Sequence, residues 1–329
     1  MKKLYIIGNG FDIHHGLKTS YYAFAEYLKE KDRDLYDLLE KFISLPEDED
    51  DLWAKFEENL AYLDASEILS DNADYLPNIS SEDFRDRDWH TFESVVTDIK
   101  DLLTDGLLNQ FRNFILKVKI PVDILESKVQ LENDALYLNF NYTETLESVY
   151  GIPKDSINYI HHCANSDCEY IILGHGIDPK EFEEVLPEPP EDLDPEYLQD
   201  WYEEHQSYDY PYDSGKDSLM KFFTDMHKPT EKIIADNENF FSKLTDVETI
   251  FVFGHSMSPV DLPYFEKIFD STKKDTKWIV SYYSNESIEG YKKVLNKIGV
   301  EESNYELIKL SSIQVNNNQL EIDFHSGNQ

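Results

Sequence analysis

The chain has 329 residues, 40% apolar and 14% aromatic, which is enough for a sizeable core and too aromatic for a disordered polypeptide. Its 30 Lys and Arg stand against 67 Asp and Glu, a formal net charge of −37. That balance argues against direct binding of nucleic acid or anionic membranes, both of which need clustered basic side chains, and favours basic partners.

Residues 4–7, "LYII", read as a buried strand that runs into Gly8-Asn9-Gly10. The apolar run stops there, short of the roughly 7–15 residues of a secretory signal. From 20 to 45 the apolar positions Phe24, Tyr27, Leu28, Leu35, Leu38 and Leu39 predict one amphipathic helix. A second helix is expected over "PEDEDDLWAKFEENLAYL", its acidic start suiting a helix N-terminus. A third is expected from about Trp89 to Ile115, so residues 20–130 read as a large helical insertion after the first strand.

The pattern then changes. Strands are expected at 135–141 ("ALYLNFN"), 157–162 ("INYIHH"), 169–176 ("EYIILGHG"), 249–256 ("TIFVFGHS") and 277–283 ("KWIVSYY"). Helices are expected at "ETLESVY", 215–246, 259–271 and 286–297. Strands alternating with helices predict one α/β domain over 1–329, with a Rossmann-like, mostly parallel sheet. Residues 178–213 stand apart: 14 Asp and Glu, one Lys and seven aromatics form an acidic, aromatic-rich inserted loop, with a short helix near 195–204. It reads either as a solvated excursion or as a lid or docking segment for a partner.

In open α/β sheets, ligands bind outside the carboxyl ends of the strands. Here those ends read "GNGFDIHHG", "NFNYT", "IHH", "GHGID" and "GHS", and they hold six of the ten histidines: His14, His15, His161, His162, His175 and His255. Gly-x-Gly after a strand lets backbone approach a phosphate. The dinucleotide fingerprint is incomplete, because Ile13 stands where its third glycine belongs, so a tight structural turn and a nucleotide site both remain open. Asp12 either caps this turn or touches ligand. Trp53, Phe56 and Glu57 share one helix face, either as packing or with Glu57 reaching the site. Cys163 and Cys168, the only cysteines, are too few for a disulfide framework. With His161 and His162 they offer a short zinc-like cluster, but adjacent residues of a strand point to opposite faces, and no metal is expected. "GHSMS" lacks the second glycine of a nucleophile elbow.

The blocks "YIIGNGFDIHHGLKTSYYAF", "LWAKFEENLA", "LNFNYTETLE", "YIHH", "ILGHGID" and "FVFGHSMSPVDLPYFEKI" closely resemble, in order, the AbiH family of bacterial abortive-infection proteins directed against phage. In that family the fourth block usually reads Ile-His-Gly, and His162 stands here in place of the glycine. The family in turn resembles sirtuins and sirtuin-like NAD-cleaving defence proteins. The matching positions are Gly8-Asn9-Gly10, the loop from Gly16 to Tyr21, Asn141, His161 and Gly254-His255-Ser256. The resemblance implies a sirtuin-like fold and an antiphage effector that binds and cleaves NAD or a related nucleotide, an NAD glycohydrolase-like hydrolase. It implies Asn141 and His161 as catalytic residues, Asn141 holding ribose hydroxyls or water and His161 serving as general base. It implies a nucleotide site of Gly8, Asn9, Gly10, Phe11, Asp12, Thr19, Ser20, Tyr21, Tyr142, Gly254, His255 and Ser256, with the glycines admitting the diphosphate and Ser256 near the adenosine ribose. The zinc ribbon of sirtuins needs four cysteines, so protein deacylation is not expected. The other reading is a non-catalytic nucleotide sensor whose acidic segment engages a partner effector. Homo-oligomerisation is a further expectation. No stretch approaches the ~20 apolar residues of a membrane span, and the protein is expected in the cytoplasm.

Overall fold

The computed structural model describes residues 2–313, except 47–50, 122–126, 166–169, 186, 191 and 206–207. The chain divides into two compact units, one of residues 1–31, 108–176 and 228–329, the other of residues 32–107 and 177–227. The helical insertion and the acidic segment, far apart in sequence, thus contribute to the same second unit.

The first unit is built on six strands: β1 (Lys3–Ile7), β2 (Leu136–Asn139), β3 (Ile157–Tyr159), β4 (Thr249–Phe253), β5 (Lys277–Tyr282) and β6 (Tyr305–Lys309). Their order is β3-β2-β1-β4-β5-β6 and every pairing is parallel, so the sheet is a Rossmann-like α/β sheet. Continuous apolar runs such as "LYII" suit a sheet covered on both faces. Alternate residues of β1 enter different cores, as the period of two requires. Leu4 and Ile6 join Leu138, Val252, Trp278 and Val280, together with Tyr264, Phe265 and Ile268 of the helix Leu262–Ser271. Tyr5 and Ile7 join Tyr137, Phe253, Phe11, Leu146 and Leu310. The register sets Tyr5 between Tyr137 and Phe251, and the rings stack at 5.1 and 4.7 Å.

Sequence order reverses between β1 and β4, and this switch point is closed by glycines. Gly8 N donates to Phe253 O at 3.0 Å and Gly10 N to Gly254 O at 2.7 Å. Gly254 has φ +66, and a Cβ there would lie 2.0 Å from Phe11 N. A Cβ on Gly8 or Gly10 would lie 2.6–2.8 Å from the backbone of Gly254 or His255. The glycines allow the turn after β1 and the turn after β4 to touch backbone to backbone.

Several of the expected elements need revision. The helix expected over 20–45 is two helices, Tyr21–Lys31 and Arg33–Phe42, because Asp32 leaves helical geometry and its carboxylate accepts Leu35 N at 3.2 Å as an N-cap. The apolar run at 169–176 forms no sheet strand among its described residues; Ile172 N instead bonds His161 O at 3.0 Å. β6, which the pattern did not reveal, forms the sheet edge, where weak burial leaves little apolar signal.

The second unit is helical. Thr91–Asp101 packs along Tyr210–Asp225, with Phe92 stacked on Tyr212 at 5.9 Å. In place of one helix over 89–115, the chain inserts a π turn at Leu102–Gly106 between Thr91–Asp101 and Leu107–Leu116. The acidic segment carries the expected short helix, Leu198–His205. Most of the expected second helix shortens to Phe56–Asn59, and its acidic start at 47–50 lies outside the described residues. Trp53 stacks between Tyr36 and Phe56 and donates to Glu40 at 2.7 Å. Glu57 belongs to this unit.

Candidate functional site

The turn after β1 becomes the short helix α1 (Asn9–His14), which buries Phe11 and Asp12. The side chain of Asp12 is completely buried, and Thr143 donates its hydroxyl to Oδ2 at 2.5 Å. Thr145 backs this contact at 3.0 Å from Thr143. Thr143 comes from the loop after β2 and Thr145 opens the helix Thr145–Tyr150, two and four residues past Asn141. Oδ1 of Asp12 makes no hydrogen bond. Burial pushes the Asp12 carboxyl up to about 6, against the opposing pull of Thr143, Thr145 and Asn141.

Asn141 is 4% exposed, and neither its amide oxygen nor its amide nitrogen has a hydrogen-bond partner. Its amide nonetheless acts on the Asp12 carboxyl as a hydrogen-bonding neighbour and lowers it, in a contact short of full hydrogen-bond geometry. Its backbone is held by Asn139, whose Oδ1 accepts Asn141 N at 3.0 Å. Thr19 Oγ1 is likewise buried without a partner, while Thr19 O accepts the Asn9 side chain at 3.0 Å.

A second buried group lies around the ends of β3 and β4. His161 is 2% exposed, and its Nε2 makes no hydrogen bond. Burial, reinforced by Lys228, His255 and His162, holds its imidazole well below the usual range despite a backbone hydrogen bond to Phe140, so His161 is neutral near pH 7. Asp261 Oδ1 lies 3.7 Å from His161 Nε2 and 3.3 Å from Lys228 Nζ, and its Oδ2 lies 3.5 Å from His255 Nε2. His255 Nδ1 accepts Met257 N at 2.9 Å, which leaves the proton on Nε2, facing Asp261. The Phe140 ring packs edge-on against both imidazoles, 5.2 Å from His161 and 4.3 Å from His255. Met257 and His162 both carry positive φ, +55 and +65. His162 occupies a left-handed position that favours glycine.

The predicted residues therefore separate into distinct roles. Asp12, Asn141 and Thr19 present unpartnered atoms; His161 and His255 line the Asp261 group. Asn141 and His161 share no hydrogen bond. Gly8, Gly10 and Gly254 pack on one another, and the amides of Gly8 and Gly10 are spent on β4 and its turn. Phe11 is core, 4.4 Å from His15. Ser20 Oγ accepts Ala23 N at 3.2 Å, Tyr21 packs on Phe111, and Tyr142 donates to Ile172 O at 2.7 Å. Ser256 is exposed. His15 is partnered at both nitrogens, by Phe11 O at 2.6 Å and the Tyr150 hydroxyl at 2.5 Å. Cys168 lies outside the described residues. Thr143, Thr145 and Asp261 stand inside the family-like blocks, yet no spacing marks them out. Lys228 carries no local signal at all.

An all-parallel sheet in this order, with buried polar side chains at its carboxyl ends, defines a Rossmann-like α/β protein. The family described as Bacteriophage abortive infection AbiH matches residues 4–282, and the chain belongs to it. That membership implies a role in abortive infection against phage. No curated protein and no solved structure matches the chain.

Proposed function

We propose that this AbiH protein binds NAD, or a closely related nucleotide, beyond the strand ends of the first unit and hydrolyses its nicotinamide–ribose bond. The observation that carries this reading is the set of unpartnered buried atoms that follow β1, β2 and β3: Asp12 Oδ1, Thr19 Oγ1, both amide atoms of Asn141 and His161 Nε2. An unsatisfied buried polar group costs about 1–3 kcal/mol. Several that follow neighbouring parallel strands are explained by a polar ligand that completes them. A ribose offers hydroxyls that both donate and accept, and so matches an amide flanked by a carboxylate oxygen.

In the reaction, the C1′–N bond breaks and its electron pair passes to the pyridinium nitrogen, releasing neutral nicotinamide. Positive charge spreads over C1′ and the ring oxygen, as in other glycosidic cleavages. Water adds to C1′ and gives up one proton, so NAD and water become ADP-ribose, nicotinamide and a proton. Asn141 holds a ribose hydroxyl or the water. The neutral His161 offers its Nε2 lone pair to that water, and a proton gained there would face Asp261 at 3.7 Å.

A second reading, a nucleotide sensor that recruits a partner, draws on the acidic segment, where Tyr197, Tyr208 and Tyr210 are exposed among carboxylates. Incubating the purified protein with NAD and separating the products tests both. Nicotinamide with ADP-ribose supports hydrolysis; binding without turnover supports the sensor; neither binding nor turnover removes NAD from the account.

A further inference from the structure

We infer that Asp12 is a catalytic carboxylate whose free Oδ1 stabilises the positive charge that develops on the ribose ring. The inference rests on the glycosidic reading above and assigns the site its electrostatic component.

Three observations support it. The carboxyl is completely buried, and only one of its oxygens is held, by Thr143. The groups that act on it, Thr143, Thr145 and Asn141, are all uncharged. On its own helix His14 bonds Ser127 O, and at the C-cap His15 bonds Phe11 O and Tyr150. Among the described residues, no Lys or Arg ion pair to Asp12 is present, in contrast to Asp261, which lies 3.3 Å from Lys228. A buried carboxylate without a counter-ion is costly in the folded protein. It becomes favourable when a cation forms beside it in a water-poor site, where a fixed charge acts strongly. Finally, the free oxygen belongs to the carboxyl on which the orphaned Asn141 amide acts, so a ribose held by Asn141 lies next to the charge. Burial also keeps the carboxyl predominantly ionised only above about pH 6, which sets a pH signature.

The test compares two small probes by calorimetry: an iminoribitol whose protonated ring nitrogen carries the charge of the cleaving ribose, and its neutral ring-oxygen counterpart. The wild-type protein is expected to bind the cation at least about tenfold more tightly. Asp12→Asn is expected to lose that preference while keeping affinity for the neutral probe and for NAD, with kcat for NAD falling and KM little changed. The wild-type preference is expected to shrink as pH falls below about 6, a readout that needs no variant. Preference for the cation that vanishes in Asp12→Asn, in a protein that does not cleave NAD, upholds the charge at Asp12 and rejects NAD as substrate. Equal affinity of the wild type for the two probes, or an undiminished preference in Asp12→Asn, overturns the inference.

Discussion

Two buried polar residues three positions apart, Asp12 in α1 and His15 at its C-cap, are built differently. His15 is fully partnered: one ring nitrogen meets Phe11 O, the other the Tyr150 hydroxyl, whose oxygen also accepts Val129 N at 3.1 Å. Asp12 is also buried, yet one of its oxygens makes no hydrogen bond, and neither end of the neighbouring Asn141 amide makes one. Both are polar residues sunk beside the same sheet. The difference is that both ring nitrogens of His15 close on protein, whereas Asp12 Oδ1 and the Asn141 amide make no hydrogen bond. Burial and residue type alone do not distinguish two such polar groups; satisfaction does.

The comparison breaks or sharpens at its strongest contrast. Asn141→Ala is expected to lower turnover at least about 100-fold while changing stability by less than about 1 kcal/mol, since the amide has only its loose contact with Asp12 to lose. His15→Ala, which removes two bonds and the packing on Phe11 and Tyr150, should destabilise the fold by about 3 kcal/mol, measured by urea denaturation. Equal stability losses in the two variants would erase the distinction.

Asp12→Asn is next in size. The carboxyl is raised from 3.8 to about 6, so the folded state holds its proton more tightly. Its favourable contribution is present below pH 3.8 and is lost as pH rises through 6. Each pH unit that separates the folded from the unfolded titration is worth about 1.4 kcal/mol. Removing the charge should therefore stabilise the protein by about 2–3 kcal/mol at pH 8 and by almost nothing at pH 4. His15 runs the other way. Burial lowers it from 6.5 to about 4, so its contribution is present above pH 6.5 and is lost as pH falls through 4. In the wild type the two effects oppose each other between pH 6 and 4. In Asp12→Asn only the His15 loss remains, and melting temperature should drop more steeply with acid than in the wild type.

The smallest effect concerns the strained turn. His162→Gly should relieve the left-handed backbone at φ +65 and, after losing the ring contact with Tyr170 at 4.6 Å, stabilise the protein by about 0.5–1 kcal/mol. A loss of stability on thermal denaturation would show that the ring contact outweighs the backbone.

Much of the frame was legible because it depends on short-range pattern. "LYII", "TIFVF" and "KWIVSY" are strands because apolar runs of that length suit a sheet buried on both faces. The strand ends stood out through their concentration of Gly, His and Asn, and Asn141 after β2 and His161 after β3 are both buried. The break at Asp32 escapes the pattern because Phe24 through Leu39 keep helical spacing across it, and periodicity does not see a cap. The run at 169–176 reads as a strand because burial in an irregular segment and burial in a strand require the same apolar residues.

Composition and pattern by themselves determined the class of fold, the segments that carry polar chemistry and the family, since all three are written in local order along the chain. Tertiary structure alone decided which polar groups are satisfied. It set Gly8 and Gly10 against the turn after β4, joined Lys228 to Asp261, and brought Thr143 to Asp12 across more than a hundred residues of chain while leaving Asp12 Oδ1 and the Asn141 amide bare. A hydrogen bond is a relation between two places in space, and no single stretch of sequence contains both.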